Sequence, residues 1–477
     1  MSTHPTFAIV GHPNKGKSSI VATLAEDETV VVSPDPGTTR QARGFQMQSD
    51  GRVLYELVDT PGFQRPRAVL EWLQSNERSA SERPAVVREF VTRHESDPRF
   101  KDECELLRPI LAGAGILYVV DGAHPYGAEY DAEMEILRWT GQPRMALINM
   151  IGPGDHVEEW RRALNQYFSI VRVFDALRAD FGKRLELLRA FRELTEVDQS
   201  WARSLEQAVD VLQKDRKARQ QRAAAEIADL LIEVLSASES APCPEGADQV
   251  QLSKDLTERL RKRIRQREHS ARRAVQELYR HRSLRMQTSE FELLGEDLFS
   301  ERSFSVFGLS NAQLSMTGAA TGALAGGAID VAAGGASLLL GAGIGAIVGG
   351  LGAMFGSNRL AKIQLLGTPL GGHRLVVGPI SATNLPWVIL GRSLLHHRLV
   401  AETNHARRES LVLVADASEH LTGSIEAGRR RHLSNLFRLI RERNGLPTHQ
   451  RDELISEIVA AMEAWANVGP AQEPRPS

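Results

Sequence analysis

Cysteine is scarce in this chain, and only Cys104 and Cys243 among its 477 residues carry a thiol. Two cysteines cannot build a disulfide framework, and neither stands in a zinc-ligand spacing. A reducing compartment is therefore expected. Net charge is nearly absent too, since 58 Lys and Arg against 60 Asp and Glu leave −2, and no general attraction to nucleic acid is predicted. The opening residues, 1–6, hold no basic stretch leading into an apolar one, so no secretory signal is read there and the amino end is expected in the cytoplasm. What is present is ordinary folded composition, 42% hydrophobic and 25% charged, at a length beyond what one core serves.

Short apolar runs alternate with helical stretches through the first part of the chain, the pattern of a parallel sheet with crossover helices. Strands are expected at 7–10, 53–58, 116–120, 145–148 and 170–174 of an α/β domain covering 1–195, with a helical insertion at about 64–109. Residues 196–302 read as helical and basic, broken by a linker at 236–246. Leu256, Leu260, Ile264, Ala271, Val275 and Leu278 share one helix face there, and 254–285 carries twelve Lys or Arg against four Asp or Glu. Residues 303–358 hold a single ionisable side chain, Asp330. A mixed but largely helical region is expected at 359–469, with an apolar segment at 375–395 interrupted by Pro379 and Pro386, a strand at 411–415 and amphipathic helices near 429–441 and 451–465. The tail 470–477 is expected to be unstructured.

The chemistry is concentrated early. Gly11 to Ser18 read GHPNKGKS, a GxxxxGK[ST] run between an expected strand and an expected helix. Gly11 and Gly16 let the backbone turn its amides toward phosphates, and the following helix offers its positive end. Lys17 reaches the outer phosphates, and the Ser18 hydroxyl is a ligand for Mg2+. Asp59 opens a DTPG run at the end of a strand, where its carboxylate faces the same metal and Gly62 frees an amide for the terminal phosphate. Between them lie Thr38 and Thr39, of which Thr39 is the preferred third metal ligand.

These motifs resemble the TrmE-Era-EngA class of GTPases, whose P-loop reads GxPNxGKSS and whose second motif reads GTTR. Here the first runs from Gly11 through Pro13, Asn14, Lys15, Gly16, Lys17 and Ser18 to Ser19, and the second from Gly37 through Thr38 and Thr39 to Arg40. The resemblance implies a Ras-like P-loop fold, GTP and GDP as ligands, Mg2+ dependence, and switch loops around Thr39 and Asp59. It also implies a K+ site at Asn14 of the kind some relatives use. Two positions depart from the pattern. Phe63 stands where Ras-like enzymes place a water-orienting glutamine, so slow turnover is expected. The guanine-reading NKxD motif is replaced by Asn149-Met150-Ile151-Gly152, which keeps the asparagine and loses the carboxylate. Asp155 is a candidate substitute, and a turn or helix-cap residue is the competing reading. The whole combination also resembles a bacterial GTPase subgroup that carries a C-terminal domain of unknown function.

Gly318, Gly322 and Gly326 recur at every fourth position, as do Gly341, Gly345 and Gly349, giving a glycine zipper on helices. Val331 to Asn358 supplies 28 uncharged residues, enough for a helix to cross a hydrocarbon layer of roughly 30 Å. A membrane hairpin beside a basic helix is expected, contacting lipid or a membrane protein, and the alternative is a soluble hairpin packed within the protein or a homo-oligomer. His396, His397 and His405 show no metal-ligand spacing and are expected to be core or surface residues. The functional expectation is a slow GTP-hydrolysing switch at the inner membrane. Its alternatives are a nucleotide-binding protein without turnover and an ATPase with relaxed base choice.

Overall fold

The computed structural model describes residues 4–25, 41–49, 51–176, 179–194, 199–281, 294–317, 361–367, 373–403 and 425–466. They belong to two compact units, one of residues 1–217 with 402–409 and one of residues 218–401 with 410–477.

The first unit is built on six strands, β1 (Thr6–Val10), β2 (Arg43–Ser49), β3 (Arg52–Asp59), β4 (Gly115–Asp121), β5 (Arg144–Asn149) and β6 (Ile170–Val173). Their order is β2-β3-β1-β4-β5-β6, parallel throughout except for the antiparallel edge pair of β2 with β3. A sheet covered on both faces needs strands that are apolar along their whole length, and β4 is buried at every position. The two-residue repeat divides each strand between the layers. Phe7, Ile9, Leu117 and Val119 face one core with Ile20, Phe191 and Leu205, while Ala8, Val10, Tyr118 and Val120 face another with Leu73, Phe90 and Trp160. The helices α1 (Lys17–Ala25), α7 (Phe181–Leu194) and the start of α8 (Gln199–Ser236) cover the first face. On the other lie α5 (Asp131–Trp139), α6 (Val157–Leu164) and the segment between β3 and β4, which forms α2 (Pro66–Ser75), α3 (Arg83–His94) and α4 (Lys101–Leu111).

Five strands fall where the apolar runs place them. Strand β2 was not expected, because it carries only Phe45 and Met47 as buried residues, between exposed glutamines, on an outer strand that needs one apolar face.

The second unit contains α9 (Gln249–Leu278), a three-stranded antiparallel sheet and helices at Leu385–Glu402, Ala427–Arg443 and Thr448–Ala466. The sheet orders β7 (Glu239–Cys243), β9 (His373–Ile380) and β8 (Ala361–Gly367), with β9 central. The expected linker at 236–246 therefore ends helix α8 as read but supplies a strand, Glu239 pairing with Val377 and Cys243 with His373. Pro242 is tolerated there because an outer strand leaves one backbone edge unpaired. Pro386 lies in the first turn of the helix formed by the later part of the apolar segment, where a residue needs no amide bond.

The stripe expected on α9 is buried at Leu256, Leu260, Ile264, Ala271 and Val275, and half-buried at Leu278. Glu268 sits within it. This buried carboxylate receives Arg392 Nε at 2.8 Å and Arg272 at 2.6 Å, and Arg392 also donates to Ser303 Oγ at 2.9 Å. Burial lowers the Arg272 pKa, and proximity to Arg392 adds to this against the pull of Glu268. His396 and His397 are both buried. His397 meets the Tyr279 hydroxyl at 2.8 Å, while burial, with Arg272 and His397 nearby, pushes His396 down to about 3 and keeps it neutral.

Short helices at Glu301–Phe307 and Asn311–Met316 open the glycine-rich segment, and Phe307, Leu309 and Leu314 join the core of this unit. The zipper glycines, Asp330 and most of the expected hairpin lie outside the described residues, as do Thr38, Thr39, His405, the strand expected at 411–415 and the tail. Among the described residues no helix is long and apolar enough to cross a membrane.

Candidate functional site

Strand β1 lies centrally, with β3 on one side and β4 on the other, so the chain leaves its carboxyl end where the strand order reverses. Crevices of open parallel sheets form at such points. The P-loop, residues 11–16, occupies this place and runs into α1. Gly11 has φ +140° and a Cβ there would meet the Val119 carbonyl oxygen at 2.4 Å, so the loop lies against β4 as only glycine permits. Gly16, at φ +81°, has the Asn149 side chain where its Cβ would be, at 2.2 Å. Asn14 also turns through positive φ, 60°, and its side chain is exposed.

Lys17 is buried and its ammonium donates to the carbonyls of Gly11 at 3.1 Å and His12 at 3.0 Å. Burial pushes its pKa down to about 8, and Asp59 and Glu133 work against that shift. The Ser18 hydroxyl donates to Asp59 Oδ2 at 2.8 Å, which joins the first turn of α1 to the end of β3. Gly62 closes this side of the site. Its Cβ would collide with Pro13, 2.6 Å from the backbone nitrogen, so the DTPG loop is seated on the P-loop. Phe63 is wholly buried in the core beneath, and Gln64 is exposed.

Across the P-loop, Asn149 ends β5 and is buried. Its amide donates to the Lys15 carbonyl at 3.1 Å, and its side-chain oxygen accepts from the Ala176 amide at 3.1 Å. One side chain thereby fastens the P-loop to the segment after β6. Ile151 is exposed near Gly16, and Gly152 carries no donor or acceptor side chain. Asp155 accepts from the Val157 amide at 3.3 Å, an Asx-turn contact just before α6, whose N-cap is His156.

Three buried carboxylates near the site were not singled out from the sequence. Asp121 ends β4, 3.8 Å from Lys15 Nζ, and receives the Ala123 amide at 3.0 Å and His124 Nδ1 at 2.7 Å. Glu133 of α5 meets His12 Nδ1 at 2.8 Å and accepts from the Tyr118 hydroxyl at 2.9 Å. Glu103 of α4 accepts from the backbone amides of Gln64 and Arg65, just past the DTPG run. Asp121 had a signal, an acid closing an apolar strand at the loop end of the sheet. The two glutamates lie in charged helical stretches that read as solvated faces.

A central parallel sheet, a glycine P-loop entering a helix, and a serine joined to the aspartate of DTPG define a P-loop GTPase domain. Residues 6–150 match the family model described as 50S ribosome-binding GTPase. Residues 161–462, more than half of the chain, match the model described as a domain of unknown function, DUF3482, and the chain belongs to that family. It is similar to the GTPase Der of Nitrosospira multiformis, 44% identical over 71 residues, which are 15% of this chain and 15% of that protein. It is also similar to the GTPase Der of Desulforamulus reducens, 30% identical over 166 residues, covering 35% of this chain and 31% of the relative. The chain thus spans less than a third of the length of either relative. Among solved structures, Aquifex aeolicus Era bound to GDP and aluminium fluoride is 18% identical, with a TM-score of 0.28, covering 39% of this chain and 56% of that one.

Proposed function

We propose that the protein is a GTP-binding switch that hydrolyses GTP slowly and whose nucleotide state acts on its C-terminal region at the cytoplasmic membrane. The observation that carries the nucleotide reading is the 2.8 Å contact of Ser18 with Asp59. It brings together two oxygen donors of the kind that a small hard cation takes, at the mouth of a loop built for phosphates. Ser18, Asp59 and Thr39 would hold Mg2+, which when bound neutralises charge on the phosphates. Lys17 and the amides of Lys15, Gly16, Ser18 and Ser19 would hold the phosphate chain, Gly62 would meet its end, and Asn14 would serve K+. Slow turnover rests on Phe63, whose side chain is buried in the core and cannot orient a water.

A second reading, relaxed base choice, is favoured by the position of Asp155. Its carboxylate faces the start of α6, and Gly152 supplies no substitute. The membrane part of the proposal rests on the glycine zipper and on Lys254, Arg259, Lys262 and Arg273, cations exposed on α9 apart from those that meet acids of other segments.

The test is titration of the purified protein with fluorescent GTP and ATP analogues in Mg2+ buffer, followed by single-turnover hydrolysis with and without K+. Tighter GTP binding with slow turnover supports the switch, equal binding replaces it with the relaxed reading, and binding without turnover leaves a structural nucleotide. Sedimentation with anionic vesicles tests the membrane part. The full chain should pellet and a variant lacking 318–358, which keeps Ser303, Phe307, Leu309 and Leu314, should not; equal pelleting rejects that role.

A further inference from the structure

Helix α4 of the insertion between β3 and β4 reaches the backbone beside both candidate switch loops, through Glu103 and Glu105. Helix α4 buries Cys104, Leu106, Leu107 and Ile110 against the sheet, and Glu103 is buried with them, at 0% exposure. A carboxylate removed from water is costly unless hydrogen bonds replace the lost solvation. Its Oε1 accepts from two consecutive amides, Gln64 at 2.9 Å and Arg65 at 2.6 Å. Its Oε2 is buried and has no hydrogen-bond partner among the described residues. The two amides directly follow Asp59-Thr60-Pro61-Gly62-Phe63. Two residues along α4, Glu105 Oε2 accepts from the Ala42 amide at 3.5 Å, just beyond the GTTR motif.

We infer that Glu103 is a positioning residue for the DTPG loop, and that through it the insertion sets how strongly the protein distinguishes a nucleoside triphosphate from a diphosphate. The inference rests on the nucleotide reading above. Ser18 holds Asp59, and the Thr60 hydroxyl donates to the Ile9 carbonyl at 2.7 Å; three further attachments hold the rest of the loop. Gly62 is seated on Pro13 of the P-loop, Phe63 is sunk in the core, and Glu103 holds the next two amides. A charged acceptor takes both amide protons of residues 64 and 65, which leaves the Gly62 amide as the one placed for a terminal phosphate. The holding group belongs to α4 and not to the loop, so the insertion fixes where these two amides stand. On the reading above the Gly62 amide meets the terminal phosphate, which a diphosphate lacks, so triphosphate affinity is the quantity that should depend on this arrangement.

The experiment compares the full-length protein with Glu103→Ala, Glu103→Asp and Glu103→Gln, measuring affinity for GDP and for the non-hydrolysable triphosphate GMPPNP, and amide hydrogen exchange at Gln64 and Arg65 without nucleotide. Losing hydrogen bonds to a charged acceptor should weaken GMPPNP about tenfold in the Ala and Asp variants, Asp being one methylene too short, while GDP affinity holds. Gln keeps an acceptor oxygen and should restore GMPPNP affinity. Exchange at Gln64 and Arg65 should quicken in the Ala and Asp variants and not in Gln. Equal loss of both nucleotides, or loss in Gln as large as in Asp, would reduce Glu103 to a packing residue and overturn the inference. Should the wild-type chain bind no nucleotide, the nucleotide reading fails, and unchanged exchange in Glu103→Asp would separately overturn the attachment itself.

Discussion

The two ends of the nucleotide site are built to different standards. At the phosphate end the described residues of the two motifs meet one another. Lys17 spans the loop, Ser18 meets Asp59, and Gly11 and Gly62 occupy places that a Cβ would fill. At the base end only Asn149 is kept, and its three-atom amide is used to tie Lys15 to Ala176.

The largest effect that would break this comparison comes from Lys17. Lys17→Ala should lower affinity for GTP and ATP alike by about a thousandfold, the cost of removing the cation from a buried charged contact. Titration with the fluorescent analogues reads it, and unchanged affinity would remove the phosphate site.

The comparison is sharpened by restoring the missing acid. Gly152→Asp should raise the preference for GTP over ATP by ten- to a hundredfold, as expected for hydrogen bonds to a charged acceptor. Among the described residues only Ala123 Cβ stands near, 3.3 Å from the added Cβ, and it must shift slightly. A ratio that does not change would show that residue 152 faces away from the base.

Asn149→Ala should weaken both nucleotides equally, by about tenfold, since it leaves a backbone acceptor and a backbone donor unsatisfied near the P-loop. Competition binding with the two nucleotides would expose the opposite case, a selective loss of GTP, in which Asn149 reads the base after all.

The smallest effect is in pH. Lys17 has its free-state pKa lowered to about 8 by burial, and a bound polyanion raises it. Binding therefore takes up a proton once the pH exceeds about 8, and affinity falls as pH rises, by at most about tenfold per unit. Calorimetry in two buffers of different ionisation enthalpy at pH 8.5 should register that uptake, about half a proton or more. No uptake there would mean that Lys17 is already fully charged in the free protein.

The second unit shows how linear charge misleads. The twelve cations counted along 254–285 suggest a strongly positive helix, but acids from other segments answer several of them. Arg263 meets Glu239, Arg265 meets Asp297, and Arg267 meets both Glu226 and Glu233. Those partners come from α8, β7 and the stretch before Glu301, so no reading along α9 could have found them. The apolar stripe of the same helix was legible, because a 3.6-residue repeat needs no partner to be seen.

The sequence by itself determined the class of fold, the P-loop and the aspartate that faces it, because these depend on local patterns: apolar strands, glycines at forced turns, and a lysine and serine at fixed spacing. It also showed that the guanine-reading acid was gone. Only the tertiary structure decided that Asn149 ties two loops together, that Glu103 and Glu133 are buried beside the site, and that Glu268 holds two arginines in the second unit. The reason is physical. A glutamate in a charged helical stretch is indistinguishable from a solvated one until another element packs over it, and its role is then set by donors distant in sequence.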